Sequence, residues 1–139
     1  LSNYVTDFPS QELLKSKKAI LLPHIGASTD EAEENCAIMA VDQLRNFLEN
    51  GTIENSVNFP SLALEKTDSF RIAIINQNVP RMLGQILSIL ADKDINVLDM
   101  LNKSRNDVAY NLIDIETKPS EDTLDEIRAI EDVIKVWLI

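Results

Sequence analysis

At 139 residues the chain has room for one ordinary domain or two small ones, and 45% hydrophobic with 26% charged residues is a globular make-up. A formal net charge of -10 and a pI near 4.4, with no basic stripe, exclude a nucleic-acid groove or an anionic membrane surface as partner. No run is long and apolar enough to span a bilayer, and the lone cysteine, Cys36, leaves no internal disulfide to form.

The N-terminus carries Asp7 and Glu12 and has no apolar core followed by a small-residue cleavage site, so it is not a signal peptide and a cytoplasmic protein is expected. The chain starts at Leu1, without Met and in mid-pattern, as expected of a fragment. Tyr4-Val5 is a short extended piece that closes at Asp7-Phe8-Pro9. Ser10 to Lys18 is an irregular connection anchored by Leu13 and Leu14. Ala19 to Leu22 is a continuous apolar run, the pattern of a strand buried on both faces of a parallel sheet. It stops at Pro23-His24-Ile25-Gly26. Ser28 and Glu31 have capping-box spacing, which predicts a helix start there. Asp30, Glu31, Glu33 and Glu34 carry the charge sign that the dipole favours at that end. Ala32, Cys36, Met39 or Ala40, Leu44 and Phe47 form one apolar stripe, and Asn50-Gly51 is the expected stop. Ile53 to Phe59 is extended and ends at Pro60. Residues 61–69 show no period and are expected to link two domains.

From residue 70 the pattern is sharper. Phe70, Ile72 and Ile74 alternate as one face of a strand. Asn76-Gln77-Asn78 is a turn, and Pro80 suits the first turn of a helix whose buried face is Leu83, Ile86, Leu87 and Leu90. Residues 95–103 and 108–116 are two strand-like runs joined at Asn106-Asp107. Pro119 to Asp122 open a helix with Leu124, Ile127 and Ile130 on its inner face, and residues 132–139 are a last strand. The order is βαββαβ, an α+β ferredoxin-like arrangement with a four-stranded antiparallel sheet and both helices on one face. Asn76 and Asn78 sit beside a helix N-terminus and Asn96 opens the next strand. Amides donate to a carboxylate and accept from an ammonium, so this trio suits a small amino acid. A domain of this size has a small core and exposed sheet edges, which predicts a homodimer through it.

Two stretches resemble one known architecture. Pro23-His24-Ile25-Gly26-Ala27-Ser28-Thr29 resembles the histidine motif of the D-isomer-specific 2-hydroxy-acid dehydrogenases. Asn55-Ser56-Val57-Asn58-Phe59-Pro60, followed by a βαββαβ module, narrows the resemblance to their D-3-phosphoglycerate dehydrogenase branch. The module, with Asn76-Gln77-Asn78-Val79-Pro80 and Asp94-Ile95-Asn96, resembles an ACT domain, a small amino-acid-sensing fold. The resemblance implies residues 1–60 as a C-terminal remnant of the NAD-binding and substrate-binding body, 61–69 as a linker and 70–139 as an ACT regulatory domain. It implies NAD-dependent oxidation of 3-phospho-D-glycerate to 3-phosphohydroxypyruvate, the first step of L-serine biosynthesis. His24 would be the catalytic base, a task that suits a side chain titrating near neutrality. Asp7 would help hold the nicotinamide carboxamide, and Gly26 would let the backbone pass close to the nicotinamide. Asn76, Asn78 and Asn96 would bind L-serine or another small amino acid between two ACT domains. Asn76 stands where a bacterial version has histidine, and Arg81 where many ACT domains have glycine.

The family also needs a glycine-rich dinucleotide loop, a substrate-binding arginine and a carboxylate that polarises the histidine, and the chain has no GxGxxG among its three glycines, Gly26, Gly51 and Gly84. The isolated chain is therefore expected not to turn over substrate. A second reading is a stand-alone amino-acid-binding ACT dimerisation module without catalytic activity. No metal site is expected: the acids from Asp30 to Glu34 read as a solvated first turn, and Cys36 as core.

Overall fold

A computed structural model describes residues 3–65 and 67–139; Leu1, Ser2 and, inside the expected linker, Lys66 lie outside the described residues. The chain divides into two compact units, one ending at Val41 and one running Asp42–Ile139.

In the first unit, β1 (Tyr4–Thr6) and β2 (Ala19–Leu21) pair in parallel, with Tyr4 opposite Ala19 and Thr6 opposite Leu21. A short 3₁₀ turn, Leu13–Lys15, lies in the connection. The expectation that the second of these strands is buried on both faces is corrected: Ile20 and Leu22 are about half exposed, because among the described residues this sheet has only two strands.

Helix α1 (Asp30–Asn50) starts one residue later than the capping-box spacing predicts. Thr29 is its cap, with Oγ1 accepting the Ala32 N–H at 3.1 Å, while the Ser28 N–H goes to the Ile25 carbonyl. The expected stop is present. Gly51, at φ +71°, donates to the Phe47 carbonyl, the bond of a left-handed C-terminal closure, and Thr52 donates to that of Asn46. The expected stripe is not a buried face: no residue of α1 is buried, Cys36 and Leu44 are exposed, and Phe47 is half-buried. Val41 and Leu48 are further exposed apolar residues outside that stripe, so periodicity alone does not choose a face.

The second unit contains the βαββαβ order in full: β3 (Phe70–Gln77), α2 (Met82–Asp92), β4 (Val97–Arg105), β5 (Val108–Ile115), α3 (Glu121–Arg128) and β6 (Val133–Leu138). The sheet order is β4-β5-β3-β6, antiparallel throughout. Ile72, Ile74, Ile113, Ile115 and Val136 face the helices and meet Ile86, Leu90, Leu124 and Ile127. Ser120 caps α3 by accepting the Thr123 N–H. Pro80 lies outside α2, whose N-cap is Arg81, held at φ +74° in the left-handed region with no side-chain cap bond. Only glycine adopts that conformation without cost, so the bulk at this position falls on the backbone as well as on the turn.

The opposite face of the sheet is covered by the chain that leads into it. Ile53 and Leu62 exchange both backbone hydrogen bonds, at 2.8 and 2.9 Å, and are buried against Ala73, Tyr110 and Leu112. Lys103 donates to the Ser61 carbonyl, and Arg105 to those of Ser56 and Phe59. Trp137 lies between Phe47 and Tyr110, with ring centroids 5.8 and 6.1 Å away.

Arg71, on β3 and 4% exposed, binds Asp114 on β5 through Nε at 2.6 Å and Nη2 at 2.8 Å. It also donates to the carbonyls of Asn50, Leu64 and Glu65. The segment expected as a linker, residues 61–69, is thus in part hydrogen-bonded to the sheet. Residues around 53–65 are bonded to the sheet, and the units part at Val41/Asp42. An aperiodic segment reads as a linker from sequence because its anchors are backbone carbonyls, which leave no side-chain pattern.

Candidate functional site

Parallel pairing of β1 and β2 sends both strands out at the same end. The Leu22 N–H donates to the Thr6 carbonyl at 2.9 Å, so Asp7 and Pro23-His24 emerge side by side. The ends of parallel strands are where α/β folds assemble their sites. Here Nδ1 of His24 lies 3.1 Å from Oδ2 of Asp7, and the Phe8 ring meets the imidazole edge-on at 5.3 Å between centroids. The pair is well exposed, so its contribution to stability is small. Its chemical effect is directional. In the tautomer with Nδ1–H donating to the carboxylate, Nε2 keeps its lone pair for a proton acceptor's task.

Two clefts flank the pair. One of about 480 Å³ is lined by Val5, Thr6, Asp7, Leu22, Pro23, Ile25 and Gly26. The other, about 380 Å³, runs over Asp7, Phe8, Pro9, Leu22, Pro23 and His24. A Cβ built at Gly26 would meet nothing within 4 Å, so the space above that backbone is open. His24, Asp7 and Gly26 are thus brought to one place. Among the described residues no group of three or more His, Cys, Asp or Glu could hold a metal ion.

The asparagines are arranged differently. Asn76 and Asn78 lie at the end of β3, where the Asn78 N–H donates to the Asp107 carbonyl and its Nδ2 to that of Asn106. Asn78 is exposed, whereas Asn76 is 2% exposed. Asn76 donates to the Gln77 carbonyl at 2.6 Å and accepts from Asn111 at 2.7 Å. Asn96 stands at the other end of the sheet, next to Val97, which pairs with Ile115, and its Nδ2 donates to Glu116. The length of β3, roughly 23 Å at about 3.3 Å per residue, lies between Asn96 and the other two. One module therefore does not gather the three.

The sequence reading passed over two members of this region, Asn111 and Asn102. Asn102 Nδ2 donates to Asn111 Oδ1 at 2.5 Å. The available signal is that each stands on the helix-facing side of its strand, in step with Met100 on β4 and with Ile113 and Ile115 on β5. It was absorbed into the general strand pattern. A shallow groove of about 500 Å³ on α2 is lined by Arg81, Gly84, Gln85, Ser88, Ile89 and Ile130.

No family model matches the chain. D-3-phosphoglycerate dehydrogenase of Dictyostelium discoideum is 34% identical over 129 residues, 92% of this chain and 31% of that protein. The enzyme of the same name from Escherichia coli (strain K12) is 30% identical over 129 residues, 91% of this chain and 32% of that protein. The chain thus spans about a third of the length of these relatives. Among solved structures, the ACT domain from GTP pyrophosphokinase of Chlorobium tepidum is similar at 19% identity and a TM-score of 0.45, covering 52% of this chain and all of that one. No helix among the described residues is long and apolar enough to cross a membrane.

Proposed function

Since this chain is a relative of the D-3-phosphoglycerate dehydrogenases over about nine-tenths of its length, we propose that it is the part of such an enzyme that carries the catalytic histidine and an ACT regulatory module. The observation that carries this reading is the presence on one chain of an oriented Asp7–His24 pair and a complete βαββαβ module. The parent would be a cytoplasmic oxidoreductase acting on 3-phospho-D-glycerate.

His24 would take the hydroxyl proton at Nε2 while Asp7 holds Nδ1 and fixes the ring. NAD, when bound, supplies hydride acceptance. The described residues suit its nicotinamide end: the cleft beside Asp7 is open above Gly26. They do not suit its pyrophosphate, because no glycine-rich loop is present in the sequence. The isolated chain, given NAD and 3-phosphoglycerate, is accordingly expected to show no turnover in a reduced-cofactor absorbance assay. Measurable oxidation would overturn that division of labour.

The regulatory half would read a small amino acid, L-serine by the resemblance, at the turn carrying Asn78. A second copy would complete the site. The outer edge of the nine-residue β4 is unpaired among the described residues, and edges of that length attract partners. Antiparallel pairing of two copies centred on Leu101 sets Asp99 opposite the partner subunit's Lys103, an opposite-charge pair. It also brings the partner subunit's Asn96 opposite Asn106, whose carbonyl already holds Asn78. Titration calorimetry of L-serine into the chain, with glycine and L-alanine as controls, tests this. Saturable heat that is lost in Asn78→Ala is the expected result; absence of heat with all three ligands would remove amino-acid sensing from the reading. The missing dinucleotide loop favours the second reading, a stand-alone amino-acid-binding dimer, for the chain by itself.

A further inference from the structure

We propose that Asn111 is a positioning residue of the effector site and acts through Asn76; this deepens the regulatory reading above and rests on it. Three asparagines lie on the helix-facing side of adjacent strands β4, β5 and β3. Asn102 is the register partner of Asn111, and Asn111 is the partner of Ile74, two residues before Asn76. Their amides run head to tail. Asn102 donates to Asn111 at 2.5 Å, Asn111 to Asn76 at 2.7 Å, and Asn76 to the Gln77 carbonyl at 2.6 Å. Asn111 also donates to the Ile74 carbonyl at 3.3 Å. The ladder begins at an exposed edge residue, passes through a fully buried one and ends on the backbone of the turn.

Packing does not ask for these amides. The neighbouring positions on the same side are Ile72, Ile74, Ile113 and Ile115, so an all-apolar ladder of the same shape would satisfy the packing without any polar group. A buried amide costs free energy unless it is fully bonded, and a bonded network gains little over an apolar one. What the ladder adds is geometric. It pins the Gln77 carbonyl, which also accepts the Val79 N–H at 2.9 Å and so closes the turn from which the Asn78 side chain projects. Asn76 is nine-tenths buried and bonded at both of its polar atoms, so it holds the turn and leaves ligand contact to Asn78.

The test is L-serine titration and thermal melting of the full chain as wild type, Asn111→Val and Asn102→Ala. Asn111→Val is expected to weaken serine binding by about tenfold or more, and to lower the melting temperature because the buried Asn76 Oδ1 loses its donor. Asn102→Ala removes the exposed head of the ladder without entering the core, and is expected to weaken binding in the same direction; it decides the matter should the valine variant not fold. Wild-type affinity in both variants would overturn the inference and leave the effector site standing. A loss of affinity in Asn111→Val together with wild-type affinity in Asn102→Ala would also overturn it, by reducing Asn111 to a core residue. No saturable binding of serine, glycine or alanine to the wild type would overturn the regulatory reading itself, and the role of Asn111 with it.

Discussion

Arg71→Met is expected to lower the unfolding free energy of the Asp42–Ile139 unit by about 3–5 kcal/mol. The substitution leaves Asp114, which is 0% exposed, without its bidentate partner in a place water does not reach. It also strips a donor from the carbonyls of Asn50, Leu64 and Glu65. The first of these belongs to the last turn of α1, whose carbonyls have no intrahelical partner and which carries no basic residue of its own. Among the described residues Thr67 remains beside the stranded carboxylate, as a hydroxyl donor at 3.1 Å. Urea unfolding of the chain measures the effect as a shift in midpoint. A companion variant, Arg71→Met with Asp114→Leu, separates its two parts. Removing both charges relieves the stranded carboxylate and recovers much of the loss, but the three carbonyls stay unpaired, so recovery is incomplete. A loss below about 1 kcal/mol in the single variant would show that the pair contributes no more than an exposed one.

Gly51→Ala is expected to cost about 2–4 kcal/mol by the same measurement. The residue sits at φ +71°, where an L side chain strains the backbone. The added Cβ would lie 2.6 Å from Leu112 Cδ2, 2.7 Å from Ile139 Cδ1 and 3.0 Å from the Tyr110 hydroxyl. That hydroxyl donates to the Gly51 carbonyl at 2.9 Å, and burial pushes its pKa well above the ordinary tyrosine value, the nearby Arg71 charge opposing. Forcing the turn off the sheet opens Tyr110 to water, so its ionisation is expected to move back down, which ultraviolet titration of the phenolate reads. Wild-type stability in Gly51→Ala would mean that Leu112 and Ile139 yield without loss.

The second half of the chain was legible because its signals are local and agree with one another. Alternation at Phe70, Ile72 and Ile74, helical spacing from Leu83 to Leu90, and Ser120 ahead of an acidic first turn all mark elements that the fold contains. The first half was less legible. Ser28 and Thr29 are adjacent caps of equal chemistry, and only geometry selects Thr29. The cover formed by residues 53–65 is fixed by Arg71 and, from far along the chain, by Lys103 and Arg105 reaching to backbone carbonyls, contacts that no periodicity announces. The candidate site divides in the same way. His24 was found from its motif, but its carboxylate partner follows from strand pairing: only parallel β1 and β2 place Asp7 beside it. Asn78 was found from its turn, whereas the role of Asn111, in the middle of a strand, follows only from its neighbours across the sheet.

The position of Trp137 gives the protein a built-in optical gauge. It is the single tryptophan of the chain, and it touches Phe47 of α1 on one side and Tyr110 on the other. Its emission is therefore tuned by how closely the end of α1 lies on the sheet, and is blind to the two helices on the far side. Tyrosine-to-tryptophan energy transfer from Tyr110 adds a second channel from the same stack. Loosening of that helix end is thus visible as a change of light in a protein whose backbone dichroism has not yet moved.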